Sequence, residues 1–541
     1  MNYLYKISFV CLLFLATVLN VFSQNTVSFF QEVLTSDSND AVSSVIQVND
    51  GGYVIAGSTD GFGLGNKSES FILKTDEDGN LLWAKTYGDL QYEYIDHISA
   101  TEGGGVIISG YTNSFGGNMG FLSKLDRDGN QEWVKTFANS SFRIIRALQR
   151  SNGRYIVAGN NGKNLVLMEV SSTGDTLWTK QHHASYNFPT FSDKSVDLIQ
   201  LSDGYVLMGT MLGLGNQDAF YVLRTDLQGN VIWEKSYGSA NDDVPYALVS
   251  TYDNGLLLGG STGNGTFWSD MLFVRTDSIG DTLWTKSFDF ATSDRDIITN
   301  LYALEDSTYL FLATTEIGGA FLFDILLGNI DDKGNLLWVK EFGDSLNDYA
   351  YGLTTGMDNE IIIAGYTDNF NSDDQGIYLI KTFPWDTSCN IIDITDSIKI
   401  VSPLINIEIL DTTENRLPIN IASETFQVND VTASLMGYTV CSDTFIDSSD
   451  IGTYIDAISN NSILAYPNPT AGEFYVDLSN LNSSGNLNLE LFDLMGRLVY
   501  KEQVFSTQNK LDIDLSAFNR GTYLLKIYSD KTFAQVKIVK Q

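Results

Sequence analysis

Four shortages bound this chain before any pattern is sought. Of 541 residues only three are histidine, three are cysteine and seven are proline, and Lys plus Arg number 32 against 67 Asp plus Glu. The three histidines, His97, His182 and His183, leave no spacing for a zinc centre. No Gly-x-Ser-x-Gly elbow carries a Ser/His/Asp set, and no phosphate-binding or dinucleotide fingerprint occurs. A formal charge of −35 argues against nucleic acid and anionic membrane as partners. Scarce proline beside 47 glycines suits tight β-turns rather than a stiff stalk.

Long apolar runs are also missing, except at the start. Lys6 precedes an apolar run over residues 7–21, and Val21-Phe22-Ser23 before Gln24 reads as a cleavage site. Residues 1–23 are therefore expected to be a secretory signal peptide, with no membrane span after its removal. Cys11 lies inside that run without small residues before it, so it does not read as a lipid-attachment site. Cys389 and Cys441 then remain as the candidate pair for one disulfide in an exported chain.

What is present is a repeat. Seven apolar runs recur: Tyr53-Val54-Ile55-Ala56-Gly57, Val106 to Gly110, Tyr155 to Gly159, Tyr205 to Gly209, Leu256 to Gly260, Tyr309 to Ala313 and Ile361 to Gly365. Six are followed by a turn and a tryptophan, at Trp83, Trp133, Trp178, Trp233, Trp284 and Trp338. Continuous apolar runs suit strands buried on both faces. A period near 50 with four short strands per unit predicts a β-propeller, each tryptophan filling the space between neighbouring blades.

The seventh unit ends at Thr382 before Pro384, without a fourth strand of its own. Trp83 lies 22 positions before Gly105, and Phe30 lies 22 positions before Gly52. The N-terminal segment around Phe30 is thus in the register of a fourth strand. The expectation is an all-β chain: a seven-bladed propeller over 24–385 closed by its N-terminal strand, a β-rich connecting segment over 386–461, and a small β-sandwich over 462–541.

That last module opens Leu464-Ala465-Tyr466-Pro467-Asn468-Pro469 and contains the turn Asp493-Leu494-Met495-Gly496-Arg497, the strand Gly521-Thr522-Tyr523-Leu524-Leu525-Lys526 and a basic end at Lys537 and Lys540. In these motifs it resembles the type A C-terminal sorting domain of the type IX secretion system. The resemblance implies a Gram-negative source of the Bacteroidota type, export across both membranes, and handling by the type IX machinery. It implies that the protein is secreted or held at the outer cell surface, and nothing about the cargo's activity. The Gly-Asn-x-x-Trp turns also look like bacterial cell-surface propeller repeats.

Two repeated features invite chemistry. Asp76-Glu77-Asp78-Gly79-Asn80, Asp126 to Asn130 and Asp331 to Asn335 invite a calcium reading, but the later glutamate of an EF-hand is missing. Such residues also belong in hairpin turns, so no metal or other cofactor is assigned and calcium stays the alternative. Asp40, Glu93, Asp243, Asp296 and Asp348 lie twelve positions before equivalent points of five units. They read either as caps of turn N–H groups or as an acidic ring around the channel mouth, and repetition favours the caps. The asymmetric loops after the second strands carry Phe62, Phe115, Phe267, Trp268, Asn369 and Phe370, which suit stacking on sugars. No catalytic residue is assigned. The expected function is binding of an extracellular glycan or protein. The alternatives are a polysaccharide hydrolase or lyase using the acids, and a structural or adhesive surface component.

Overall fold

The apolar runs form the second strands of seven antiparallel sheets, where neighbouring blades cover both faces. Tyr53–Thr59 is buried at six of its seven positions, and the third strand beside it, Glu69–Thr75, at all seven. The strands flanking them, Asp40–Gln47 inside and Leu81–Gly88 outside, alternate instead. This computed structural model describes residues 26–384 apart from 37, 62–67, 89–90, 139–141, 162–163, 184–196, 213–216, 264–268, 290–294, 317–321, 344–345, 357–358 and 369–374. It also describes the strands between 392 and 446 with a few adjoining residues, and 464–540 apart from its loops. The proposed signal peptide and Cys389 lie outside the described residues.

The first compact unit is Phe29–Ser442. Its innermost strands are Asp40–Gln47, Glu93–Ala100, Arg143–Gln149, Asp197–Leu201, Asp243–Ser250, Ile297–Ala303 and Asp348–Thr355, one per blade, numbered one to seven here. The apolar core sits between blades. Seven clusters each join two neighbours, and one joins blade seven to blade one through Ile362, Leu379 and Phe30 against Tyr53, Ile55 and Leu73. Strand Thr26–Thr35 supplies the fourth strand of blade seven, with Phe30 opposite Lys381 and Leu34 opposite Ile377.

The tryptophans explain the spacing. The Trp83 ring lies over Gly129 in the next blade, a residue at φ +73° where an added Cβ would stand 2.7 Å from the ring. The same pairing recurs at Trp133 and Gly174, Trp178 and Gly229, Trp233 and Gly280, and Trp284 and Gly334. Phe30 takes this place over Gly79, again at 2.7 Å. Trp133 and Trp284 donate their indole N–H to Ser172 O and Asp332 O at 3.1 and 2.8 Å, meeting the need of a half-buried donor. Lysines two positions on, such as Lys85 and Lys235, reach the same turn of the next blade.

The segment after the seventh unit is a belt of short strands. Ile392–Asp393, Lys399–Val401, Asn406–Ile409, Thr413–Asn415, Asn420–Glu424 and Gln427–Asp430 pair with the outer strands of blades six, five, four, three, two and one in turn. Met436–Ile446 then lies beside Thr26–Thr35 in blade seven. Every blade thus has five strands, and the belt runs once round the wheel against the direction of the chain before it. Six consecutive belt strands begin seven residues apart. At about 3.3 Å per residue, seven residues reach at most roughly 23 Å from one belt strand to the next.

In the second unit, a three-stranded sheet (Leu464–Tyr466, Glu473–Asp477, Lys510–Asp514) and a four-stranded sheet (Leu498–Phe505, Asn486–Asp493, Gly521–Ser529, Thr532–Lys540) share one core. Phe474, Val476 and Ile513 from one meet Leu489, Leu525, Ile527 and Ile538 from the other. The basic end is held from inside: Lys540 Nζ donates to Leu515 O at 2.6 Å and Ser516 O at 3.2 Å.

Candidate functional site

The innermost strands line a central cavity, and a shared irregularity decides which side chains enter it. In six of the seven, the ladder to the second strand skips one residue at the same place. A bulge re-aims the residue it leaves unpaired. The six skipped residues, Ser43, Asp96, Ile145, Tyr246, Thr299 and Tyr351, all line a cavity of about 550 Å³.

One side of that cavity is lined by Tyr94, Tyr349, Tyr351 and Tyr366, each backed by further rings. In blade two, Tyr94 pairs with Tyr111 across the first two strands, and their rings stack at 5.0 Å and 15°. Tyr92 extends the stack at 6.3 Å. In blade seven, Tyr349 pairs with Tyr366 at 4.9 Å and 31°. Phe323 flanks Tyr349 at 5.1 Å, and Tyr351 flanks Tyr366 at 6.1 Å. Blade one stands between these two blades and carries Ala41 opposite Ser58 at the equivalent place. The result is a small-residue floor with an aromatic wall on either hand. Burial pushes the Tyr349 hydroxyl up to about 12, and burial beside Tyr351 and Tyr349 moves Tyr366 further up, so both stay protonated and able to donate at neutral pH.

The arc that continues from blade two through blades three and four is charged. Arg143 lies 4.9 Å from the Tyr111 ring and donates from Nε to Asp96 Oδ2 at 2.7 Å. Arg146 is ion-paired with Asp197, which also accepts the Leu198 and Leu248 backbone N–H groups at 2.8 and 3.0 Å. His97 lines the cavity between these pairs, and burial together with the Arg146 charge holds it well below its ordinary pKa, hence neutral.

The five repeated acids act inside the blades rather than as a ring open to solvent. Asp40 accepts Ser36 N–H at 3.1 Å and Ser36 Oγ at 3.0 Å, and bonds Thr59. Glu93 accepts Thr112 Oγ1 at 2.9 Å, and Asp243 and Asp296 bond Thr262 and Thr315. Asp348 faces Thr367 in the strand register. In all five units the threonine follows its acid by nineteen positions, a regularity visible in the sequence that strengthens the capping reading.

These caps give a pH prediction. Burial raises the Asp40 carboxyl from 3.8 to about 6. Its contribution to stability is therefore full below about pH 4 and is lost as pH rises through about 6, a difference on the order of 3 kcal/mol. Asp40→Asn is expected to gain in melting temperature relative to the parent chain between pH 4 and pH 7. Parallel melting curves with no relative gain would refute this.

The Asp-rich turns hold themselves. Asp76 Oδ1 accepts the Asp78 and Asn80 N–H groups at 3.0 and 2.9 Å, and Asp126, Asp226 and Asp331 do likewise. Among the described residues no cluster of His, Cys, Asp and Glu is arranged to hold a metal. His182 and His183 end strand Thr176–His183 and pair with the belt at Glu414 and Thr413. Of the proposed rim residues only Phe115 is described; it is half-buried and packs against the cluster between blades one and two. Phe62, Phe267, Trp268, Asn369 and Phe370 lie outside the described residues. The tyrosine walls escaped the sequence reading, although Tyr94 and Tyr111 have the same 17-residue spacing as Tyr349 and Tyr366.

Residues 464–541 match the family model of the secretion system C-terminal sorting domain. The chain thus carries a type IX sorting domain and is exported to the cell surface or beyond. A comparison with curated proteins finds no match. Among solved structures, the chain is similar to the endo-arabinase from Bacteroides thetaiotaomicron VPI-5482 (14% identity, 45% of this chain and 93% of that one, TM-score 0.25). It is also similar to Sqt1 from Chaetomium thermophilum (12%, 61% and 82%, 0.36). A third is a single-residue mutant of NanB sialidase from Streptococcus pneumoniae (11%, 64% and 69%, 0.34). At these scores nothing about activity follows from the likeness.

Proposed function

We propose that this exported propeller binds a carbohydrate chain at the mouth of its central cavity. The observation that supports the reading is the pair of tyrosine walls, Tyr94 with Tyr111 and Tyr349 with Tyr366, on either side of the Ala41 and Ser58 floor. Sugar rings present flat C–H faces and a fringe of hydroxyls. Half-buried tyrosines offer a rigid face for the first and a donor for the second.

Hydrolysis is the less favoured reading. The repeated acids are engaged with threonines, and the two carboxylates lining the cavity, Asp96 and Asp197, are each paired with an arginine. A hydrolase needs one carboxyl free to act as an acid.

The test is a glycan array probed with the full mature chain. Tyr94→Ala combined with Tyr366→Ala is expected to weaken binding at least about tenfold in a chain that still unfolds in one cooperative transition. Undiminished affinity, or no carbohydrate bound at all, rejects the site. Turnover of a bound polysaccharide that disappears in Asp96→Asn favours the hydrolase.

A further inference from the structure

The charges inside the cavity go one step further than carbohydrate. Three arginines line it, in a chain with twice as many acidic as basic residues. Two are already answered: Arg143 by Asp96 and Arg146 by Asp197. Arg295 is different. It is exposed, and it forms no ion pair with any described residue. Its backbone is fixed: Arg295 bridges to Ser269, and the next residue, Asp296, donates its N–H to Ser269 O at 2.7 Å. It lines the cavity together with Tyr246, Tyr349 and Tyr351, and its charge partly offsets the burial that raises the Tyr246 and Tyr349 hydroxyls. A guanidinium with neighbouring phenol donors is a receptor for a carboxylate or sulfate group.

We infer that the cavity recognises a glycan bearing an acidic sugar, with Arg295 reading the acid and the tyrosine walls holding the neighbouring ring; this rests on the carbohydrate reading above. The net charge of −35 decides what kind of acidic glycan. A polymer of uronic acids brings many negative charges against a negative surface and is repelled beyond the pocket. One acid at a chain end or branch meets Arg295 and little else. The ligand class is therefore a largely neutral oligosaccharide with a single or sparse uronate, or a single sulfate.

The full mature chain is titrated with matched oligosaccharides: neutral, carrying one uronic acid, and carrying one sulfate. Polygalacturonate and a short acidic peptide complete the set. Binding of the singly charged sugar is expected to be about tenfold tighter than that of its neutral parent, and 0.5 M salt is expected to erase the difference. Arg295→Gln should bring the charged sugar down to the level of the neutral one, and Arg295→Lys should restore part of the preference. Comparison of uronate with sulfate identifies the acid. Equal affinity for charged and neutral sugars, or a preference that survives in Arg295→Gln, overturns the inference while tyrosine-dependent binding of the neutral sugar keeps the carbohydrate site. Tighter binding of polygalacturonate overturns the sparse-charge argument. Capture of the peptide alone, or of no probe, overturns both readings.

Discussion

Removing residues 24–35 from a chain that begins at Gln24 is expected to abolish the cooperative unfolding of the propeller. Thr26–Thr35 is the inner neighbour of the belt and the outer neighbour of Gly376–Thr382, so its loss leaves two unpaired edges inside blade seven. It also removes Phe30, Val33 and Leu34, which are all but fully buried. Burying three such side chains is worth about 6 kcal/mol, comparable to the whole stability of many domains. Phe30 matters most, because it closes the contact with Gly79 that tryptophan makes elsewhere. Phe30→Ala is expected to cost about 3–5 kcal/mol. Phe30→Trp is expected to be far milder, since tryptophan occupies the equivalent place in five other contacts. Calorimetry of the three variants tests the ranking. A truncated chain that melts within a few degrees of the parent would show that the wheel does not depend on its first strand.

This closure was legible because it is a matter of register: the same 22-residue interval places Phe30 and Trp83 before their glycine-led strands. The middle strands were legible for a related reason, burial on both faces leaving no polar position to interrupt the run. The cavity was not. Its bulges add one residue to a short alternating strand, and alternation with one extra residue has no distinct composition. Asp96 and Tyr246 therefore look like any half-exposed position until the ladder is seen. The caps were half legible, the acids by their place and the threonines only by their constant distance from them. The belt hides for another reason. Its strands span two to five residues over most of the circuit, too few for a period of two to show, and their regularity lies in the seven-residue stride between them.

The belt carries the second large effect. A chain ending at residue 385 should keep four strands in every blade but present the outer edge of each to solvent. Backbone groups of Lys235–Gly238, paired with Asn406–Ile409, and of residues 134–138, paired with Asn420–Glu424, would stand open. Uncovered edges are templates for pairing with other chains. The shortened chain is expected to associate in a concentration-dependent way and to melt on the order of 10 °C lower. A chain ending at 461 keeps the belt and loses the sorting domain, and it should melt like the parent. Hydrogen exchange separates a belt effect from a general loss of stability. Amides at the outer edges of blades one to six should exchange far faster in the chain ending at 385, while those of second strands such as Tyr205 to Gly209 stay protected. Unchanged protection at those edges would mean that the belt strands do not cover them in solution. Protection lost at the edges of blades one to three alone would mean that the belt covers only the later half of its circuit.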